Sequence, residues 1–232
     1  MWVQPPPGER SGNRGFHPDA DEAQAQARVW DRLFSQVPLE KKRAERDWGW
    51  LVGRLRRAGV RSVLDLGAGQ GYWSIALARA GFQVTALDIS QVAMERLRTW
   101  AREEGLDIET WVLPAQQLPT ARRFDAIIAN SVLDHMTLAQ AREVLRRVNA
   151  VLNPRGLVYL SFDAPGGEAV RPHLVLPDGT WYYRGGKWDG MLWRPYRDEE
   201  IASLCAGLGL EILEFTVRES GARAVWARPR GG

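Results

Sequence analysis

The chain has 232 residues, 45% of them hydrophobic and 25% charged, with a formal net charge of +3. That is an ordinary globular composition, and basic residues too dispersed to argue for a nucleic-acid partner. One cysteine, Cys205, excludes an internal disulfide or a multi-cysteine zinc site, and His17, His135 and His173 are not spaced as metal ligands, so no metal is expected.

Residues 1–17, rich in Pro, Gly and Arg, read as a flexible tail; they lack the apolar stretch of a secretory signal. No apolar run approaches the roughly 20 residues of a membrane helix, so the cytoplasm is the expected compartment and no membrane partner is expected. A helix is predicted from about Asp19, with Ala27, Trp30 and Phe34 on one side. A second starts at Pro38, carries Trp48, Leu51, Val52 and Leu55 as an apolar stripe, and ends near Gly59.

The next stretch organises the rest. Val63, Leu64 and Leu66 form an apolar strand interrupted by Asp65, and Gly67, Gly69 and Gly71 follow at alternate positions. Trp73, Ala76, Leu77 and Ala80 then recur at helical spacing, and a strand from Phe82 to Leu87 closes on Asp88. Strand, glycine turn, helix, strand and acid make the first half of a nucleotide-binding unit. Glycines let the backbone approach a ligand closely, and the helix start turns free N–H groups and its positive dipole end toward it. The closing carboxylate can accept both hydroxyls of a ribose.

Further along, Ser90 caps a helix bearing Ala93, Leu97, Trp100 and Ala101 on one face. A third strand runs near Ile108 to Leu113 and a fourth from Phe124 to Asn130. Thr137 and Gln140 form a capping box for a helix with Leu138, Ala141, Leu145, Val148 and Leu152, which Asn153-Pro154-Arg155-Gly156 stops. The fifth strand is predicted over Leu157 to Phe162, ending on Asp163. A helix over Arg197 to Leu208 precedes two strands, Glu211–Val217 and Ala222–Ala227. Between them, residues 164–196 concentrate Trp181, Tyr182, Tyr183, Trp188, Trp193 and Tyr196, divided into short strands by Pro177-Asp178-Gly179 and Arg184-Gly185-Gly186.

A dinucleotide fingerprint would need glycine at position 72, which is Tyr72. The pattern D-x-G-x-G-x-G, led by Asp65 and closed by Asp88, instead resembles the cofactor motif of class I S-adenosylmethionine-dependent methyltransferases. The resemblance is close over residues 60–163 and holds in outline over 197–229. It implies a Rossmann-like three-layer α/β sandwich with a mostly parallel seven-stranded sheet whose last hairpin strand is antiparallel. To this the chain adds N-terminal helices and an aromatic β insertion after strand five. Residues 18–232 would form a single domain: 18–59 the helices, 60–163 the cofactor-binding core, 164–196 the insertion, 197–232 the last helix and hairpin.

The resemblance implies that S-adenosylmethionine binds and leaves as S-adenosylhomocysteine. Asp65 would face its ammonium group, Gly67, Ala68, Gly69 and Gly71 its backbone-lined side, Asp88 and Ile89 its ribose. Adenine would meet Ala115 and Gln116, since Pro114 stands where the family often has an acid. Asn130 and Ser131 would lie where cofactor and acceptor meet, followed by the V-L-x-H segment Val132 to His135 that is frequent there.

Methyl transfer to an O, N or S atom of a small-molecule acceptor is the expected reaction, with His135 as proton acceptor where one is needed. Asp163, Tyr182, Trp188 and Trp193 are the expected acceptor contacts, with the insertion as an aromatic wall or lid; Asp134, His173 and Arg171 are weaker candidates. An RNA or tRNA methyltransferase is the first rival, although Asn130 is not followed by the Pro-Pro-aromatic segment of amino-methylating nucleic-acid enzymes. A cofactor-binding protein without transferase activity is the second. A monomer and a homodimer are both open.

Overall fold

The computed structural model describes residues 20–165 and 171–231, so the predicted tail and the Asp19 start of the first helix lie outside the described residues. Helix α1 spans Ala20–Gln36, and after a 3-10 turn at Lys41–Glu45, α2 spans Gly49–Arg57. The predicted single helix from Pro38 is therefore two pieces. The break is at Asp47, whose Oδ1 accepts from the Gly49 N–H at 2.7 Å and so restarts the helix.

Strand β1 (Ser62–Leu66), helix α3 (Tyr72–Arg79), strand β2 (Gln83–Asp88), helix α4 (Gln91–Glu103) and strand β3 (Ile108–Val112) follow the predicted order. Next come β4 (Phe124–Asn130), α5 (Leu138–Val151), β5 (Leu152–Phe162), α6 (Asp198–Gly207), β9 (Leu210–Val217) and β10 (Arg223–Pro229). Both predicted caps form: Ser90 accepts from the Ala93 N–H, and Thr137 and Gln140 exchange bonds at the start of α5. Strand β5 starts at Leu152 rather than Leu157, because Leu152 already pairs with Phe124 and the Asn153 side chain bonds Asp125 at 2.7 Å.

The sheet order is β3-β2-β1-β4-β5-β10-β9, with β1 to β5 parallel and β10 antiparallel to both its neighbours. Alternation along the strands feeds two layers. Leu64, Leu66, Ile127 and Val158 pack against α5 and α6. Val63, Ala126, Ile128 and Tyr159 pack against Leu51 and Leu55 of α2 and Leu77 of α3. Every loop that follows a parallel strand thus emerges at one end of the sheet, and the site is there.

The insertion forms a separate antiparallel sheet of β6 (His173–Val175), β7 (Trp181–Tyr183) and β8 (Leu192–Trp193). It packs on α1, where Val29 and Leu33 join Tyr183, Met191 and Trp193 in a small core of their own. No helix among the described residues is long and apolar enough to cross a membrane.

Candidate active site

The turn after β1 is built around three glycines with positive φ: +70° at Gly67, +53° at Gly69 and +85° at Gly71. At two of them space is as restrictive as conformation. A Cβ on Gly67 would sit 2.5 Å from Val132, and one on Gly71 2.3 Å from Leu97. The Gly67 and Ala68 N–H groups donate to the Leu87 carbonyl at 2.7 and 2.9 Å, which ties the turn to β2.

Asp88 ends β2 with both oxygens engaged by backbone: Oδ2 accepts from Gly69 N–H and Oδ1 from Ser90 N–H, each at 2.8 Å. Burial pushes its carboxyl up to about 6, opposed by those amide bonds and reinforced by the charge of Asp31. Asp65 is only 2% exposed and accepts from Ser74 Oγ at 2.6 Å, which braces α3 against the turn. Burial pushes it up to about 7, against the Ser74 bond and with the charge of Asp88 adding. The two acids therefore sit close under the turn in a poorly solvated place.

Around this turn the structure gathers the other predicted cofactor positions at the carboxyl ends of the strands. Ile89 is half-buried directly after Asp88. Ala115 is buried and opens a 3-10 turn that also holds the half-buried Gln116. Asn130 ends β4, its Oδ1 accepting from Ser161 Oγ at 2.9 Å. Ser131 has φ +50°, the only non-glycine positive φ among the described residues. Its N–H donates to the Ser161 carbonyl and Oγ, at 3.2 and 3.0 Å, and its own hydroxyl donates to Asp163 at 2.9 Å. Helix α1 covers this end: Asp31 accepts from Ser90 Oγ at 2.6 Å and from Val92 N–H at 3.1 Å.

A second group lies beyond β4. One ligand-type atom each of Asp134, His135 and Asp163 lie within 4.8 Å of one another, the one such convergence among the described residues. Asp134 Oδ2 is already taken by the Asp163 N–H at 2.9 Å, and His135 Nδ1 faces the Leu192 carbonyl at 3.2 Å. Burial pushes Asp134 up to about 6, with His135 pulling it down and Asp163 pushing it further up. Trp30 of α1 meets the His135 ring edge-on, centroids 4.9 Å apart.

Two of the weaker candidates fall in the insertion: His173 stacks on Trp181 at 4.1 Å, and Arg171 lies over Trp188 at 4.7 Å. Tyr182 and Trp188 are half-buried. Trp193, expected at the acceptor, is instead 2% exposed within the α1–insertion core. Cys205 is buried in α6 and its thiol is pushed up to about 11 by burial, which leaves no nucleophilic thiolate.

An open cavity of about 420 Å³ runs beside Asn130, Ser131 and Asp163, and Trp48, Trp50 and Trp73 line it together with Phe162. The sequence pattern places Trp48 and Trp73 on apolar stripes and does not single out Trp50. The signal available was Trp50, which stands off the stripe of Leu51, Val52 and Leu55 and is 43% exposed.

A methyltransferase-domain family model matches residues 63–156. The chain is 28% identical over 221 residues to the ubiquinone biosynthesis O-methyltransferase of Xanthomonas axonopodis pv. citri (strain 306), covering 82% of this chain and 89% of that one. With the protein of the same name from Bordetella avium (strain 197N) it shares 32% identity over 171 residues, covering 68% of each. The chain belongs to the class I S-adenosylmethionine-dependent methyltransferases. Among solved structures the methyltransferase is similar to the 1,6-didemethyltoxoflavin-N1-methyltransferase of Burkholderia thailandensis, solved with 1,6-didemethyltoxoflavin and S-adenosylhomocysteine. That match has a TM-score of 0.67 at 20% identity, covering 90% of this chain and 88% of the other.

The cofactor of this methyltransferase is S-adenosylmethionine. The residues at the turn fit it: the glycines leave the backbone bare, and Asp88 offers an anion held by two amides at the end of β2. No pyrophosphate-binding glycine is present at Tyr72, in keeping with a ligand that has no pyrophosphate.

Proposed function

We propose that this methyltransferase methylates an O, N or S atom of a small organic acceptor seated in the tryptophan-walled cavity. The cavity carries the reading: it is about 420 Å³, the size of a small-molecule site, and it is continuous with Asn130, Ser131 and Asp163. The names of the relatives, a ubiquinone biosynthesis O-methyltransferase and a 1,6-didemethyltoxoflavin-N1-methyltransferase, support the same class.

Bound, the cofactor supplies a methyl group already activated on a positive sulfur, so positioning and exclusion of water do most of the work. Asp88 and Ile89 hold the ribose side, Ala115 and Gln116 the adenine, and Gly67, Ala68, Gly69 and Gly71 the backbone contacts. Asp65 acts on the ammonium end from beneath the turn. Asn130 and Ser131 orient the reacting end, and Asp163 binds the acceptor. Trp48, Trp50 and Trp73 hold its apolar body, while Tyr182 and Trp188 bound the site from the insertion. His135 takes the proton when the acceptor must lose one.

The test is to supply methyl-labelled S-adenosylmethionine with a small-metabolite fraction, tRNA and protein in separate reactions. Label is expected in the small-metabolite fraction. Label confined to tRNA, with binding that falls steeply with salt, would sink the small-molecule reading.

A further inference from the structure

We infer that Arg194 is a positioning residue that holds the insertion on His135 and fixes which ring nitrogen is free to take a proton. The inference rests on the assignment of His135 as proton acceptor. It starts from two successive backbone contacts. The Leu192 carbonyl lies 3.2 Å from His135 Nδ1, and the Arg194 N–H donates to the Asp134 carbonyl at 2.6 Å. The end of β8 thus clasps the 3-10 turn Leu133–His135 from one side.

A carbonyl oxygen can only accept. The ring hydrogen must therefore be on Nδ1, and in the neutral imidazole Nε2 carries the lone pair. In the reaction an acceptor O–H or N–H bond breaks, the Nε2–H bond forms, and the electron pair stays on the acceptor atom. The imidazolium that results lies beside the Asp134 carboxylate and later gives its proton to solvent. With the hydrogen on Nε2 instead, the ring has no lone pair on the free nitrogen.

Besides its pairing with β7 and the α1 core, β8 is held by the Arg194 side chain, which is 6% exposed. Its Nη2 donates to Glu200 of α6 at 2.8 Å, its Nη1 donates to the Asp178 carbonyl, and its guanidinium lies over the Tyr196 ring at 5.1 Å. Asp178 in turn accepts from the Leu138 N–H, at the start of α5, at 2.7 Å. The buried guanidinium therefore ties the insertion to α5 and α6, while its own backbone secures the turn that carries His135. Among the described residues no strand of the insertion sheet pairs with the main sheet, so this tie and the α1 core seat it.

The experiment reads the tautomer directly by two-bond proton–nitrogen NMR of the full chain saturated with S-adenosylhomocysteine, at about pH 8.5, where an imidazole is neutral. With three histidines in the chain, His17→Gln and His173→Gln assign the signals. The wild type is expected to show His135 protonated on Nδ1. Arg194→Lys, which keeps the charge but loses the fork, should populate the Nε2–H form and lower kcat about tenfold to a hundredfold with unchanged S-adenosylhomocysteine affinity. Glu200→Gln should do the same more weakly and covers the case in which Arg194→Lys does not fold. An Nε2–H His135 in the wild type overturns the inference, as does an unchanged tautomer in the folded variants. The tautomer is read without any acceptor, so its failure is separable from that of the base assignment, which fails if His135→Gln retains full kcat; that result would also overturn the catalytic part of this inference.

Discussion

The two halves of the site are built by opposite means. At the cofactor half, the turn, its strands and the Ser90 cap fall within residues 62–93, and the bonds that shape them stay inside that one unit: Gly69 to Asp88, Ser74 to Asp65, Ala93 to Ser90. At the half that holds the proposed proton acceptor, Trp30 of α1, His135 after β4 and Leu192 of the insertion meet from three distant segments. Bonds within one βαβ unit make most of the first half, and contacts between distant segments make the second. Substitutions should therefore separate binding of the cofactor from the fate of the acceptor.

The largest effect is expected at the seam between α1 and the insertion. Trp193→Ala removes a buried ring from the core that Val29, Leu33 and Met191 complete, and should cost about 3–5 kcal/mol in urea unfolding. A loss under about 1 kcal/mol would mean that Trp193 is free to face a ligand after all. Next is the turn itself. Gly71→Ala puts a Cβ 2.3 Å from Leu97 at φ +85°, and should cost about 2–4 kcal/mol and abolish cofactor binding. Gly59→Ala, at φ +71° with nothing within 4 Å of the added carbon, pays only the conformational cost of about 1–2 kcal/mol and leaves binding intact. Equal losses at the two glycines would remove the steric part of the argument.

How much of this was legible follows the same division. Gly67, Gly71, Asp88, Ser90 and the Thr137–Gln140 box could be read from spacing because their partners lie within a few residues or one βαβ unit. The acceptor wall could not. An aromatic-rich insertion reads as a pocket lining when its partner is unknown, and only the fold shows that Trp193 spends its face on α1. Trp48 and Trp73 belong to regular apolar stripes, so nothing in their spacing distinguishes a residue that lines a cavity from one that fills a core. The early start of β5 and the break at Asp47 were hidden for a related reason: each depends on one side-chain bond, Asn153 to Asp125 and Asp47 to Gly49.

A smaller and more selective effect is expected at Asp88. Asp88→Ala should weaken S-adenosylhomocysteine at least about tenfold by calorimetry, roughly 1.4 kcal/mol. The pH dependence has a definite sign. Burial raises Asp88 from 3.8 to about 6 in the folded protein, so the fold takes up a proton between those values, and this group's contribution to stability falls as pH rises through that window. Ribose hydroxyls favour the ionised carboxylate, so cofactor affinity should drop as pH falls below about 6 and binding there should release protons. Compared with Asp88→Asn, the cofactor-free wild type should lose stability between pH 4 and pH 6, measured as the difference between the two urea midpoints. A difference that stays flat with pH would mean that Asp88 titrates normally.

The smallest effect on the fold, and the one that sharpens the contrast most, is expected at Trp50. It is 43% exposed, meets Trp73 edge-on at 5.9 Å and has the Arg218 guanidinium 6.0 Å from its ring. Because so much of the ring faces the cavity, Trp50→Ala gives up little packing and should change stability by about 1 kcal/mol or less. It touches none of the turn, so affinity for S-adenosylhomocysteine should stay where it was. What it removes is apolar area on which an acceptor ring or chain would lie, so KM for the acceptor should rise about fivefold to tenfold while kcat holds, the pattern of lost uniform binding. If kcat falls and KM does not, Trp50 acts on the transferring geometry and the cavity wall lies closer to the methyl group than the lining residues imply. If neither moves, the acceptor does not use this cavity, and the insertion side, bounded by Tyr182 and Trp188, is where it must be sought.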